Sequence, residues 1–276
     1  MPVEFDEFFR VDRFPTVFCP GCGIGVVMTC FFRAFNNVGL DLKNTVFTGG
    51  IGCSSRIPMY INGDMLHTTH GRAIPFATGL KLANPKLKVV IFAGDGDMGA
   101  IGGNHLINGC RRNVDLTVIC INNNTYGMTG GQMSTTTPHG YLSTTSPEGN
   151  LEYPFDLSKL AAAAGANYVA RWTVRHVHEL VKSMEKALQK RGFAFVEAVS
   201  TCPTGFGRRN KMGDPTQQLE WLKSMSVRNE KIQEEDGEQL DLNLQELISV
   251  GEFVDRDRTP LTDLIYGKKG AVKRRT

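Results

Sequence analysis

The sequence predicts an α/β fold: a parallel sheet covered by helices on both faces, followed by an irregular C-terminal arm. Three observations carry that expectation. Short apolar runs rich in β-branched and aromatic residues alternate with helix-period segments. The runs show little polar alternation, as strands buried on both faces do. The 30 glycines gather at the ends of those runs instead of forming a linker. With 276 residues, 41% hydrophobic and 21% charged, the chain suits one such domain with its own core. The expected division is a ligand-binding domain over residues 1–225 and an extension or arm over 226–276.

The expected strands are NTVFTG (44–49), LKVVIFAG (87–94), LTVICIN (116–122) and AFVEAVS (194–200), with a weaker NYVARW (167–172). Helical patterns cover 23–37, where Val26, Cys30 and Ala34 recur every four residues, and then 70–84, 99–113, 156–166 and 175–192. Asp156 offers N-cap chemistry to the fourth helix, and Gly192 is placed to close the fifth. Residues 122–155 are dominated by Asn, Gly, Thr and Ser without periodicity; a loop that long inside a compact domain is functional or disordered. Beyond about residue 204 come a helical stretch PTQQLEWLKSM, an acidic patch QEEDGEQ and a basic end KKGAVKRRT, read as a solvated extension or an arm over a partner subunit.

A formal net charge of +3 excludes a strongly basic nucleic-acid binder. No apolar run approaches the roughly 18–20 residues that span a bilayer, and MPVEFDEFF carries acids where a signal peptide carries positive charge. The expectation is a cytoplasmic protein without nucleic-acid or membrane partners. Seven cysteines in a reducing compartment do not read as a disulfide set.

GDG (94–96) follows one expected strand, and NNNTYG (122–127) follows another. An acid at one strand end and an amide at its neighbour can converge on one cation. Mg²⁺ prefers about six oxygens and takes several from water and phosphate. Asp95 would give a carboxylate, Asn123 a side-chain carbonyl and Thr125 a main-chain carbonyl. Gly94, Gly96, Gly99, Gly102 and Gly103 would let backbone N–H groups approach the phosphates. This pairing is the thiamine-diphosphate fingerprint. GGIGCSSRIP (49–58) and HTTHGR (67–72) fall at the same end of the sheet. His70 is therefore expected to pack on the cofactor or bond its phosphate, and His67 to sit near the substrate. His105, His139, His176 and His178 are read as structural.

CPGCG (19–23) is a C-x-x-C in a Pro/Gly loop, open to three readings: redox dithiol, zinc half-site or iron–sulfur half-site. Cys30, Cys110 and Cys120 fall on apolar stretches and read as core filling. Cys19, Cys22, Cys53 and Cys202 remain, each in a loop beside Gly or Pro. Four loop thiolates suit Zn²⁺ or a 4Fe–4S cluster. Cys53 lies in the turn given to the cofactor, a place better suited to an electron acceptor than to a structural zinc.

CPGCG, GIGCSSR, HTTHGRA, GDGDMGAIGGNH, NNNTYGMTGGQ and TCPTGFGR, in this order, resemble the β subunit of 2-oxoacid:ferredoxin oxidoreductases over about residues 15–225. HTTHGRAIPFATG and GFGRRNKMGDP look most like the 2-oxoglutarate (2-oxoglutarate synthase) branch. The resemblance implies a thiamine diphosphate-binding fold of the pyrophosphate type. It implies 4Fe–4S ligation by Cys19, Cys22, Cys53 and Cys202, and Mg²⁺ bound by Asp95, Asn123 and the Thr125 carbonyl. Thiamine diphosphate would contact Ile51, Gly52, Cys53, Ser54, His70, Gly96, Asp97, Gly127 and Met128. The family's acid for the aminopyrimidine comes from the α subunit, and residues 49–147 here contain no Glu. The implied enzyme is a heterodimer, αβ or (αβ)₂. It decarboxylates a 2-oxoacid, passes the acyl group to coenzyme A and the electrons through the cluster to ferredoxin. A pyruvate or branched-chain oxidoreductase, a non-redox thiamine decarboxylase or synthase with a structural Cys₄ zinc, and an electron-transfer or assembly subunit with a vestigial pocket are the alternatives.

Overall fold

The structure, a computed structural model, describes residues 6–229 and 247–272. The apolar runs form β1 (Thr45–Gly49), β3 (Lys88–Gly94), β4 (Thr117–Asn122), β7 (Tyr168–Thr173) and β8 (Ala194–Val199). With β2 (Asp64–His67) they lie parallel in the order β2-β1-β3-β4-β8-β7. Two short strands, β5 (Thr125–Tyr126) and β6 (Gln132–Met133), pair with each other in the 122–155 segment. That segment is therefore built, not a free loop.

Side chains alternate across the buried strands. Val90 and Phe92, Ile119 and Ile121, and Ala194, Val196 and Ala198 face one core layer, covered by α1 (Ile24–Asn37) and α5 (Val177–Gln189). Val89, Ile91 and Ala93, Val118 and Cys120, and Phe193 and Phe195 face the other, under α2 (Ala73–Ala83), α3 (Gly103–Arg112) and α4 (Leu157–Ala163). Cys30 and Cys110 fill these layers from α1 and α3, so the three core thiols are buried as expected. Asp156 caps α4 by accepting from the Lys159 N–H at 2.9 Å. Gly192 does not cap α5: extended Lys190 does, and Gly192 makes the turn into β8 with φ +93°.

The sheet continues past residue 225. After α6 (Pro215–Met225), β9 (Ser226–Arg228) runs parallel to β10 (Ile248–Asp255), and β10 pairs antiparallel with β7. An open β7 edge would present unpaired peptide groups, which β10 satisfies. Helix α7 (Leu261–Val272) follows. The acidic QEEDGEQ stretch and residues 273–276 of the basic end lie outside the described residues.

The carboxyl ends of β1, β3, β4 and β8 fall at Gly49, Gly94, Asn122 and Val199, on one edge of the sheet. In an open α/β sheet that edge is where ligands bind.

Candidate active site

Strand β3 runs into Gly94-Asp95-Gly96 and then a single π-helical turn (Asp97–Ile101). Such turns recur at functional sites. Asp95 is buried and accepts hydrogen bonds from the Ser134 hydroxyl, from Thr136 Oγ1 at 2.6 Å and from the Asn123 N–H at 3.4 Å. Burial pushes its carboxyl up, against the lowering pull of those donors.

One atom of the Asn123 amide lies 3.2 Å from Asp95 Oδ1 and 2.7 Å from the Thr125 carbonyl oxygen. Without a cation, that position suits the amide nitrogen, which donates to both oxygens. With the amide oxygen turned there, three oxygens face one another. Mg²⁺ at about 2.0–2.1 Å in an octahedron sets neighbouring ligand oxygens about 2.9 Å apart. The 3.2 and 2.7 Å separations about Asn123 therefore suit that ion, as does the donor chemistry of Asp95, Asn123 and Thr125. Asn124 between them holds φ +59°, the left-handed conformation that Asn tolerates better than most residues.

A cavity of about 80 Å³ opens beside this trio. Every residue that the family resemblance assigns to thiamine diphosphate lines it, from Ile51 through Ser54 to Met128. His70 flanks it with Nδ1 3.3 Å from Asp97 Oδ1, and that nitrogen has no hydrogen-bond partner among the described residues. Asp97 is buried and accepts from the Gly71 N–H at 2.5 Å; burial pushes its carboxyl up, while Gly71 and His70 pull it down. Tyr126, which the motifs did not single out, forms the opposite wall with its ring 5.7 Å from that of His70. A Cβ on Gly96 would lie 2.3 Å from the Tyr126 ring. Half-exposed Ile51 and Met128 give the mouth an apolar edge.

The glycines of the turn divide by role. Gly94 and Gly96 line the cavity. Gly99 and Gly102 serve packing within the protein: a Cβ there would meet Thr135 Oγ1 at 2.6 Å and the Asp97 carbonyl at 2.2 Å. Gly103 has open space around it. His67 ends β2 on an exposed position and is absent from the linings of this cavity and of the cysteine cavity described next.

Cys19, Cys22, Cys53 and Cys202 come together around a second cavity of about 500 Å³. Cys19 and Cys22 form a tight turn, with the Cys22 N–H donating to the Cys19 carbonyl at 3.0 Å. Cys202 precedes a π-helical turn (Pro203–Gly207). Burial, then repulsion from the neighbouring thiolates, pushes the Cys22 thiol up to about 12 against a lowering backbone hydrogen bond; Cys53 and Cys202 are raised too, burial leading. Among the described residues, no three His, Cys, Asp or Glu side chains draw close enough to clasp a single metal ion. Cys53, Asn123, Gly127 and Met128 line both cavities, so one thin wall separates them.

A parallel sheet that gathers a GDG carboxylate, an amide and a peptide carbonyl beside a glycine-lined cavity is that of a thiamine diphosphate-dependent enzyme. Residues 50–198 match the family described as thiamine pyrophosphate enzyme, C-terminal TPP binding domain. The chain is 55% identical to the 2-oxoglutarate synthase subunit KorB of Methanothermobacter marburgensis, over 95% of its length and 90% of that protein. It is 51% identical to the same subunit of Methanocaldococcus jannaschii, over 94% of its length and 95% of that protein. Its fold matches a solved 2-oxoglutarate:ferredoxin oxidoreductase from Magnetococcus marinus with 2-oxoglutarate, coenzyme A and succinyl-CoA bound. That match has TM-score 0.85 and 28% identity, and covers 99% of this chain and 91% of the other. The chain belongs to the KorB family, the β subunits of 2-oxoglutarate synthase, an enzyme completed by a partner subunit.

Proposed function

We propose that this chain and its α subunit catalyse the coenzyme A-dependent oxidative decarboxylation of 2-oxoglutarate to succinyl-CoA, with ferredoxin as electron acceptor. The observation that carries the reading is the shared wall: four thiols on one side, the Mg²⁺-spaced oxygen trio on the other. When bound, thiamine diphosphate supplies an electron sink for loss of CO₂, and a 4Fe–4S cluster accepts electrons singly.

The protein's own part is to bind and orient. Asp95, Asn123 and the Thr125 carbonyl would hold Mg²⁺ against the diphosphate. His70, its Nδ1 beside Asp97, would flank the cofactor, and Ile51 and Met128 would keep water from its edge. Cys19, Cys22, Cys53 and Cys202 would hold the cluster; tetrahedral zinc would need sulfurs about 3.8 Å apart, whereas these line a cavity with room for a multi-atom group. We keep His67, exposed at the end of β2 and outside the linings of both cavities, as a residue near the substrate. Buried Glu197 bonds Asn122, Ser158 and Arg171 and is not in the lining of the diphosphate cavity, in keeping with an aminopyrimidine acid supplied by the α subunit. Both sites fall within residues 1–225, and the segment after them closes the sheet edge. We place the complex in the cytoplasm, since seven cysteines, none of them in a disulfide, suit a reducing compartment. No described helix is long and apolar enough to cross a membrane.

Two measurements on the assembled complex test this reading. Asp95→Ala should abolish Mg²⁺-dependent thiamine diphosphate binding and acyl-CoA formation; unchanged turnover would refute the site. Anaerobically purified complex should show a broad visible absorption that depends on these four cysteines and bleaches on reduction. Colourless protein with stoichiometric zinc would refute the cluster. Turnover with pyruvate, 2-oxoglutarate and branched oxoacids in parallel fixes the substrate.

A further inference from the structure

Behind the oxygen trio lies a buried polar chain that the reaction itself does not use. Strand register places Arg171 on β7 directly beside Glu197 on β8, both buried. Arg171 Nε donates to Glu197 Oε2 at 2.8 Å, and the Ser158 hydroxyl donates to the same oxygen at 2.6 Å. Glu197 Oε1 has a different duty: it accepts from Asn122 Nδ2 at 2.8 Å. That contact decides which way the Asn122 amide points. Its oxygen is turned toward the metal loop, where it accepts from the Asn124 N–H at 3.1 Å and meets the Thr136 hydroxyl at 3.0 Å. Thr136 is the residue whose hydroxyl also reaches Asp95. From the far side, the Thr137 hydroxyl donates to the Asn124 carbonyl at 2.7 Å.

We propose that Glu197 and Asn122 are positioning residues that hold the 122–125 loop in its cation-binding form. The inference rests on the Mg²⁺ reading above. The polarity of each link gives it content. A carboxylate at 197 can only accept, so the Asn122 NH₂ must face it and the Asn122 oxygen must face the loop. Asn124 is then anchored at both its N–H and its carbonyl while it holds φ +59°. An anchored Asn124 aims the Asn123 amide and the Thr125 carbonyl at Asp95. Arg171 fixes the carboxylate from behind, and its other donors go to Asp156 and Ser249.

Reversing one link should break the chain, and reversing both should mend it. Glu197→Gln presents an NH₂ to the Asn122 NH₂. The Asn122 amide must then turn over and set its donors against the Asn124 N–H. Asn122→Asp sets two carboxylates face to face. In the double variant the new amide at 197 donates to the new carboxylate at 122. That carboxylate's other oxygen accepts from Asn124, and the total charge is unchanged. The amide oxygen at 197 still serves Arg171 and Ser158.

The test is calorimetric titration of Mg²⁺ and thiamine diphosphate into the assembled complex, with turnover measured beside it. Each single variant should weaken Mg²⁺ binding by about 10–100-fold, the range for outer-shell partners of metal ligands. Turnover should return at high Mg²⁺, and the double variant should recover most of the lost affinity. Ser158→Ala removes a donor from the other oxygen of the same carboxylate and should leave Mg²⁺ binding unchanged. The proposal is overturned if the single variants bind Mg²⁺ as the native complex does, or if Ser158→Ala weakens it equally. It is also overturned if the double variant does no better than Glu197→Gln, in Mg²⁺ binding or, where the single variants fail to assemble, in assembly. A native complex that binds thiamine diphosphate without Mg²⁺ would instead refute the metal reading itself.

Discussion

Replacing Arg171 by Met would expose how much the buried charges at the back of the sheet depend on one guanidinium. Arg171 is 1% exposed and donates to Asp156, Glu197 and both the carbonyl and the hydroxyl of Ser249. Methionine keeps much of the volume and leaves two buried carboxylates without their cation. Breaking a buried pair in this way costs about 3–5 kcal/mol. At about 2–4 °C per kcal/mol for a domain of this size, the melting temperature should fall by about 6–20 °C. The loss should also depend on pH. Burial alone would raise the Glu197 carboxyl, but the Arg171 charge and the bonds from Ser158, Arg171 and Asn122 outweigh it and hold the group below its ordinary 4.5. A depressed carboxyl contributes stability that is present above pH 4.5 and lost as pH falls through the folded value. In the Met variant that contribution is gone and protonation relieves the orphaned charge. The gap between native and variant should therefore be widest near pH 7 and narrow toward pH 4.5. Thermal unfolding of the complex across that range measures it. A gap under about 1 kcal/mol, or one that stays constant with pH, would refute the reasoning.

Gly96→Ala would drive a Cβ to within 2.3 Å of the Tyr126 ring; overpacking of that kind costs about 1–3 kcal/mol, and a variant of native melting temperature and native thiamine diphosphate affinity would contradict it. Cys53→Ser should lower both iron content and thiamine diphosphate affinity, because Cys53 lines both cavities, whereas Cys22→Ser should lower iron alone, because Cys22 lines only the cysteine cavity. Iron assay and calorimetry on the two variants separate these outcomes.

The central strands were legible because each is an unbroken apolar run, and the convergence of Asp95, Asn123 and Thr125 on one cavity because they sit at two strand ends that a parallel sheet must bring together. Strand β2 was not, since DMLH has no β-branched residue and lies at the sheet edge. Strand β10 was hidden for another reason. Its ISVGEFVD is only half buried and carries Gly251, and its partner β7 lies far back in the chain. Within the site, Ser134 and Thr136 reach Asp95 only because residues 122–155 fold back over the strand ends, and an STTT run without periodicity gives no hint of that. Arg171 and Glu197 read as ordinary strand residues. Their pairing is a matter of register, and no local pattern fixes the register between two parallel strands joined by a helix.

The placement of Ser249 bears on how the chain is made. Strands β7 and β8 leave the ribosome well before β10, so Arg171 and Glu197 can pair while the Ser249 carbonyl and hydroxyl do not yet exist as partners. Until β10 is synthesised, part of the guanidinium lacks its bonds and the β7 edge stays open to pairing with other chains. Translation that stalls or ends between β9 and β10 would leave both cavity linings in place on a nascent chain whose β7 edge is unpaired. The last strand to be made thus completes both the bonds of the buried guanidinium and the pairing of the β7 edge.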